Sequence, residues 1–117
     1  LPGNLLIYAP TEGAVQLAEA LAQSGHGVQL VGTVDELETE LTGGGYDVVI
    51  APFSEAATIE SASADAGGTK ASFLPVAFSG ADEKQAKRAY EHVMIPDKHE
   101  IKHYLKAIHV ALKKKST

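Results

Sequence analysis

The chain contains no cysteine. That excludes a disulfide framework, a thiolate nucleophile and a cysteine-built zinc centre. It accords with a reducing compartment, so a cytoplasmic location is expected. Cations are scarce too, with 10 Lys and Arg against 15 Asp and Glu and a net charge of −5. A protein that grips a phosphate backbone needs a basic face to release counterions, so no nucleic-acid partner is expected. The one basic run, Lys113-Lys114-Lys115, reads as a solvated helix end that complements the helix dipole. No apolar run approaches the roughly 20 residues needed to cross a bilayer. Leu1-Pro2-Gly3-Asn4 lacks the charged start of a signal peptide, so no membrane partner is expected either. With no initiator methionine at its head, the sequence is expected to be one domain of a larger protein.

What is present is enough apolar material for one core. The 117 residues, 44% of them hydrophobic, fit a single compact domain spanning 1–117. Short apolar runs alternate with amphipathic stretches. Leu5-Leu6-Ile7-Tyr8 reads as a buried strand, followed by Thr11 as a cap and a helix with Ala14, Leu17, Ala18 and Leu21 on one face, at helical spacing. Gly25 and Gly27 stop it. Gly27–Val31 is a second strand. Thr33 and Glu36 form a capping box for a helix whose inner face is Val34, Leu37 and Leu41, closed by Gly43-Gly44-Gly45. A third strand runs from Tyr46 to Pro52.

Beyond it, Ser54 to Ala66 predicts a weakly anchored helix with Ile59 as its one large aliphatic residue, ended by Gly67-Gly68. Phe73 to Phe78 predicts a fourth strand whose regular part Pro75 pushes later. A short helical piece from Asp82 to Tyr90 and a fifth strand, His92-Val93-Met94-Ile95, follow. Asp97 and Glu100 form another capping box after Pro96, opening a helix with Ile101, Tyr104, Leu105, Ile108 and Leu112 on its inner stripe. Strand–helix alternation with short connections implies a parallel sheet covered on both faces.

Gly44-Gly45-Tyr46-Asp47-Val48-Val49-Ile50, Leu74-Pro75-Val76 and Val93-Met94-Ile95-Pro96 together resemble the response-regulator receiver family, colinear over essentially the whole chain. The resemblance implies a flavodoxin-like, doubly wound sheet of five parallel strands in the order 2-1-3-4-5. Only about fifteen residues separate Gly80 from Pro96, so helix four is expected to be shortened or irregular. A working receiver holds Mg²⁺ with paired acids after its first strand; those places fall on Ala9 and Pro10. Its phosphoryl-accepting aspartate falls on Pro52, the lysine that contacts the phosphoryl group on Ile95, and its switch hydroxyl on Gly80, with Ser79 adjacent. The acid pair, the acceptor and the lysine are missing, and in the ungapped alignment the hydroxyl with them, so the resemblance is to a degenerate pseudo-receiver: neither catalytic residues nor a metal or cofactor site is expected. The switch aromatic falls on His92, whose ring titrates near neutrality, although an edge-strand histidine with no task is the simpler reading.

Other constellations are weaker. His99 and His103 lie i, i+4 on the last helix, a spacing that can serve a metal, but they lie off the apolar stripe and no third ligand is near in sequence. Gly43-Gly44-Gly45 follows a helix and opens a strand, the reverse of a phosphate-binding loop. The reading that follows is a non-enzymatic signalling domain of a two-component type of protein. It docks a protein partner or adjacent signalling domain, or a second copy as a homodimer, through Lys84, Lys87, Arg88, Glu91, His92 and Lys102. The alternative is a sensor of a nucleotide-like small ligand at the carboxyl edge of the sheet, around Ala9–Gly13 and Pro52–Glu55.

Overall fold

The computed structural model describes residues 3–8, 14–43, 45–65, 72–77, 79–90, 93–95 and 101–116. In chain order these form β1 (Asn4–Tyr8), α1 (Ala14–Gln23), β2 (Gly27–Val31), α2 (Val34–Gly43), β3 (Val48–Pro52), a 3-10 turn (Phe53–Glu55), α3 (Ala56–Asp65), β4 (Ser72–Val76), α4 (Gly80–Ala89) and α5 (Ile101–Ser116). The strands are all parallel, in the order β2-β1-β3-β4.

Side chains alternate across the pleat of each strand, which divides the core in two. Leu5, Ile7, Val48, Ile50, Leu74 and Val76 face α1 and α5, meeting Leu17, Leu21, Tyr104 and Ile108. Leu6, Val49 and Ala51 face α2 and α3, meeting Leu37, Leu41, Ile59 and Ala62. Strands buried on both faces read as continuous apolar runs, which is why β1 and β3 stand out in the sequence. Local chemistry sets the element ends. Gly25 adopts φ +99° after α1, and Gly45 adopts φ +92° before β3, a region that costs residues with a Cβ. Thr33 Oγ1 accepts from Glu36 N at 3.1 Å, one half of the expected capping box.

Several expectations are corrected. The described residues form four strands, not five: the stretch expected as strand five contributes one bridge, Val76 to Met94. Pro75 explains this. Met94 N donates to Pro75 O and Ala77 N donates to Met94 O, both at 2.9 Å, so odd-numbered residues of β4 face outward. The preceding rung would need an N–H from residue 75, and proline has none. Pro75 therefore sits inside β4, in register with Ala51, rather than delaying the strand. Helix four is not irregular: α4 has ten residues, as do α1, α2 and α3. It begins at Gly80, two residues before the expected start, because Ser79 caps it. Helix three is preceded by a 3-10 turn rather than starting at Ser54. Ile101, expected on the inner stripe of α5, is 37% exposed.

Candidate functional site at the carboxyl edge of the sheet

In a doubly wound sheet the functional groups gather where strands end and helices begin. Pro52 occupies that place on β3, in register with Val76. It has φ −57° and ψ 145° and leads directly into the 3-10 turn. Its ring offers neither an oxygen nor an N–H. Phe53 follows, half-buried, with Ser54 exposed and Glu55 half-buried. Val76 at the end of β4 and Ala77 just after it are buried.

The neighbouring hydroxyl is committed to a structural task. Ser79 is extended, at φ −140° and ψ 161°, and its Oγ accepts from Asp82 N at 3.2 Å. That satisfies one of the donors a helix start leaves open. Gly80, where the ungapped resemblance placed the switch hydroxyl, is the exposed first residue of α4. Ile95 is half-buried just beyond the single Met94 bridge. Ala9, Pro10, Thr11, Glu12 and Gly13 on the first loop lie outside the described residues, as do Glu91, His92, Asp97, His99 and Glu100. Asp47 is at the other end of β3, where its Oδ2 accepts from Asn4 N at 2.9 Å.

Beside this edge lies an arrangement that the sequence reading missed. Tyr90 closes α4, its N–H donating to Ala86 O at 2.8 Å. Its ring meets Phe73 of β4 edge-on at 5.2 Å and Phe53 at 6.5 Å. Its hydroxyl donates to Glu60 Oε1 of α3 at 2.8 Å. Burial, then the Glu60 hydrogen bond and charge, push the Tyr90 hydroxyl up to about 12. With Ala77, Ala86 and Val93 this makes a third, smaller apolar cluster that ties α3, β4 and α4 together. The available signal was weak: three aromatics in a chain with only 6% of them, each near an element boundary.

Of the surface residues, Lys84, Lys87 and Arg88 lie exposed on α4 and Lys102 exposed on α5. Lys87 pairs with Glu83 at 3.1 Å across one turn. The described residues contain no group of three or more potential metal ligands and no helix long and apolar enough to cross a membrane.

No protein-family model matches the chain, and no curated protein sequence matches it. Among solved structures it is similar to a response regulator receiver domain (CheY-like) from Methylobacillus flagellatus. The TM-score is 0.75 at 19% identity, over 92% of this chain and 99% of that one. The likeness establishes the fold as the flavodoxin-like receiver fold, with a parallel sheet and helices on both faces.

Proposed function

We propose that this chain is a regulatory domain of receiver fold, a pseudo-receiver that works by docking protein partners and not by accepting a phosphoryl group. The observation that carries the reading is Pro52 at the carboxyl end of β3. In a receiver that position supplies the carboxylate that is phosphorylated, and proline supplies no nucleophile. The rest of the edge supports the same reading. Ser79 is used as a helix cap, Ile95 offers a hydrocarbon where a lysine would contact phosphate, and Ala9 and Pro10 have no side-chain oxygen for Mg²⁺, a cation that demands oxygen ligands.

On this reading the domain catalyses nothing, belongs to a larger signalling protein, and presents α4, the segment at Glu91 and His92, and Lys102 to its partner. Incubation with a small-molecule phosphodonor and Mg²⁺, beside an active receiver as control, tests it by intact mass. The expected result is an unmodified chain and no spectral response to beryllofluoride. A stable adduct on this chain would refute the reading.

A further inference from the structure

Two helices at opposite edges of the sheet carry surface charge of opposite sign. α2 follows the edge strand β2 and α4 follows the opposite edge strand β4. α2 carries Asp35, Glu36, Glu38 and Glu40 with no cation, and the first three are exposed. α4 carries Lys84, Lys87 and Arg88, all exposed, while its two acids, Asp82 and Glu83, are half-buried in its first turn. Their spacing of three and four residues places them on one stripe, opposite the buried Ala86. Only Lys87 of the three has an ion-pair partner among the described residues, Glu83. Small or neutral exposed residues, Ala81 and Gln85, flank the stripe, so another helix can approach it closely. α3 packs against α2, and its Glu60 bonds to Tyr90 at the end of α4. The two charged faces of one molecule are therefore held apart by α3 and cannot neutralise each other.

We propose that the basic outer face of α4 docks the acidic outer face of α2 on a second copy of this chain. This rests on the reading of α4 as a docking surface and names its partner. The contact is heterologous, since each copy keeps one free face of each sign. Assembly therefore continues past a dimer as concentration rises, unless the rotation closes a ring. Exposed ion pairs are individually weak, so the dissociation constant is on the order of 1 mM. Copies of net charge −5 also repel at long range. Association is therefore strongest at about 0.1 M salt, where screening acts beyond about 10 Å, and fades at about 1 M, where it reaches contact distances.

Sedimentation velocity or NMR line broadening across protein concentration reads this out. Wild type is expected to self-associate at about 0.1 M salt and at least several-fold more weakly at about 1 M. Lys84→Glu with Arg88→Glu abolishes association, and so does Asp35→Lys with Glu38→Lys. Mixing those two variants restores it, because reversed and native pairs both form. Lys106→Glu with Lys113→Glu makes the same net-charge change on α5 and leaves association intact. If the lysine-bearing α2 fails to fold by circular dichroism, Asp35→Asn with Glu38→Gln replaces it and is expected to weaken self-association; mixed with Lys84→Glu/Arg88→Glu it forms the native contact alone, so association returns but stops at a dimer. Wild type that stays monomeric at millimolar concentration, or variants that associate as wild type does, overturns the proposal. A monomeric wild type that also takes no phosphoryl group refutes only the self-docking; a phosphoryl adduct refutes the regulatory reading whatever the association state.

Discussion

Tyr90 joins α3, β4 and the turn after β3 to the end of α4, and its removal can be worked through in two steps. Tyr90→Phe keeps the ring contacts with Phe73 and Phe53 and deletes only the 2.8 Å bond to Glu60. A hydrogen bond to a charged acceptor contributes about 1.5–3 kcal/mol when shielded, but this one is exposed, so about 1 kcal/mol is expected. Tyr90→Ala removes the half-buried ring as well. The loss should reach about 2.5 kcal/mol, below the roughly 3–5 kcal/mol of a fully buried aromatic. Part of that is the edge-on pairing, at about 0.5–1.5 kcal/mol.

Urea unfolding of wild type, both Tyr90 variants, Glu60→Ala and the double variant Tyr90→Phe/Glu60→Ala is the assay. The two single losses should fail to add, because each removes the same bond. The raised Tyr90 hydroxyl gives an independent reading. Its folded value lies above the ordinary value of 10.0, so its contribution is complete below pH 10 and is lost as pH rises through about 12. Tyrosinate absorbance of wild type against Tyr90→Phe isolates that group. A Tyr90→Phe variant within about 0.3 kcal/mol of wild type, with additive cycles, would refute the argument that this bond ties α3 to α4.

Three further perturbations probe other parts of the frame. Ser79→Ala removes the α4 cap and should cost about 1 kcal/mol in urea unfolding, with lost protection of the Asp82 amide by hydrogen exchange. Gly3→Ala would bring a Cβ within 2.6 Å of Leu112 Cδ2 and 3.2 Å of Asp47 Oδ2; about 1–2 kcal/mol of thermal stability should be lost as those groups move. His26 Nδ1 accepts from Gly3 N at 3.2 Å, and its pKa is lowered from 6.5 by burial first, then by the amino-terminal charge and His109. Its contribution is complete above pH 6.5 and is lost as pH falls below it. His26→Asn, which keeps an acceptor and removes the titration, should flatten that part of the stability–pH profile.

The buried strands were legible because two covered faces leave no polar position to break the run, as in Leu5-Leu6-Ile7 and Val48-Val49-Ile50-Ala51. The caps at Thr33 and the stop at Gly25 were legible from local chemistry, which depends on a few neighbouring residues. The single bridge at Met94, where a fifth strand was expected, was harder to read, because the direction in which Pro75 faces is fixed only by pairing with Met94. Ile101 matched the helical period but is partly exposed, since period alone does not say where the neighbouring helix stops covering it. The Tyr90 cluster was invisible for a related reason. Glu60 and Tyr90 are 30 residues apart, and nothing local to either names the other.

Pro52 bears on backbone as well as side chain, and the two effects share one cause. Ser72 N donates to Asp47 O, so odd-numbered residues of β3 face β4 and even-numbered ones face β1. Pro52 therefore turns its nitrogen towards β1. The β1–β3 register ends at Ile7 and Ile50, and the next rung, Tyr8 with Ala51, would need an N–H at residue 52. Proline cannot provide it. The β3–β4 side is unaffected, and its register continues to Pro52 and Val76. One residue thus ends the central ladder early and leaves the strand tip without a nucleophile. Pro75 likewise offers no N–H on the outer side of β4, beside the one bridge to Met94 among the described residues. Each missing N–H costs one rung, that of Pro52 at the tip of the β1–β3 ladder and that of Pro75 on the outer side of β4, and none between β3 and β4.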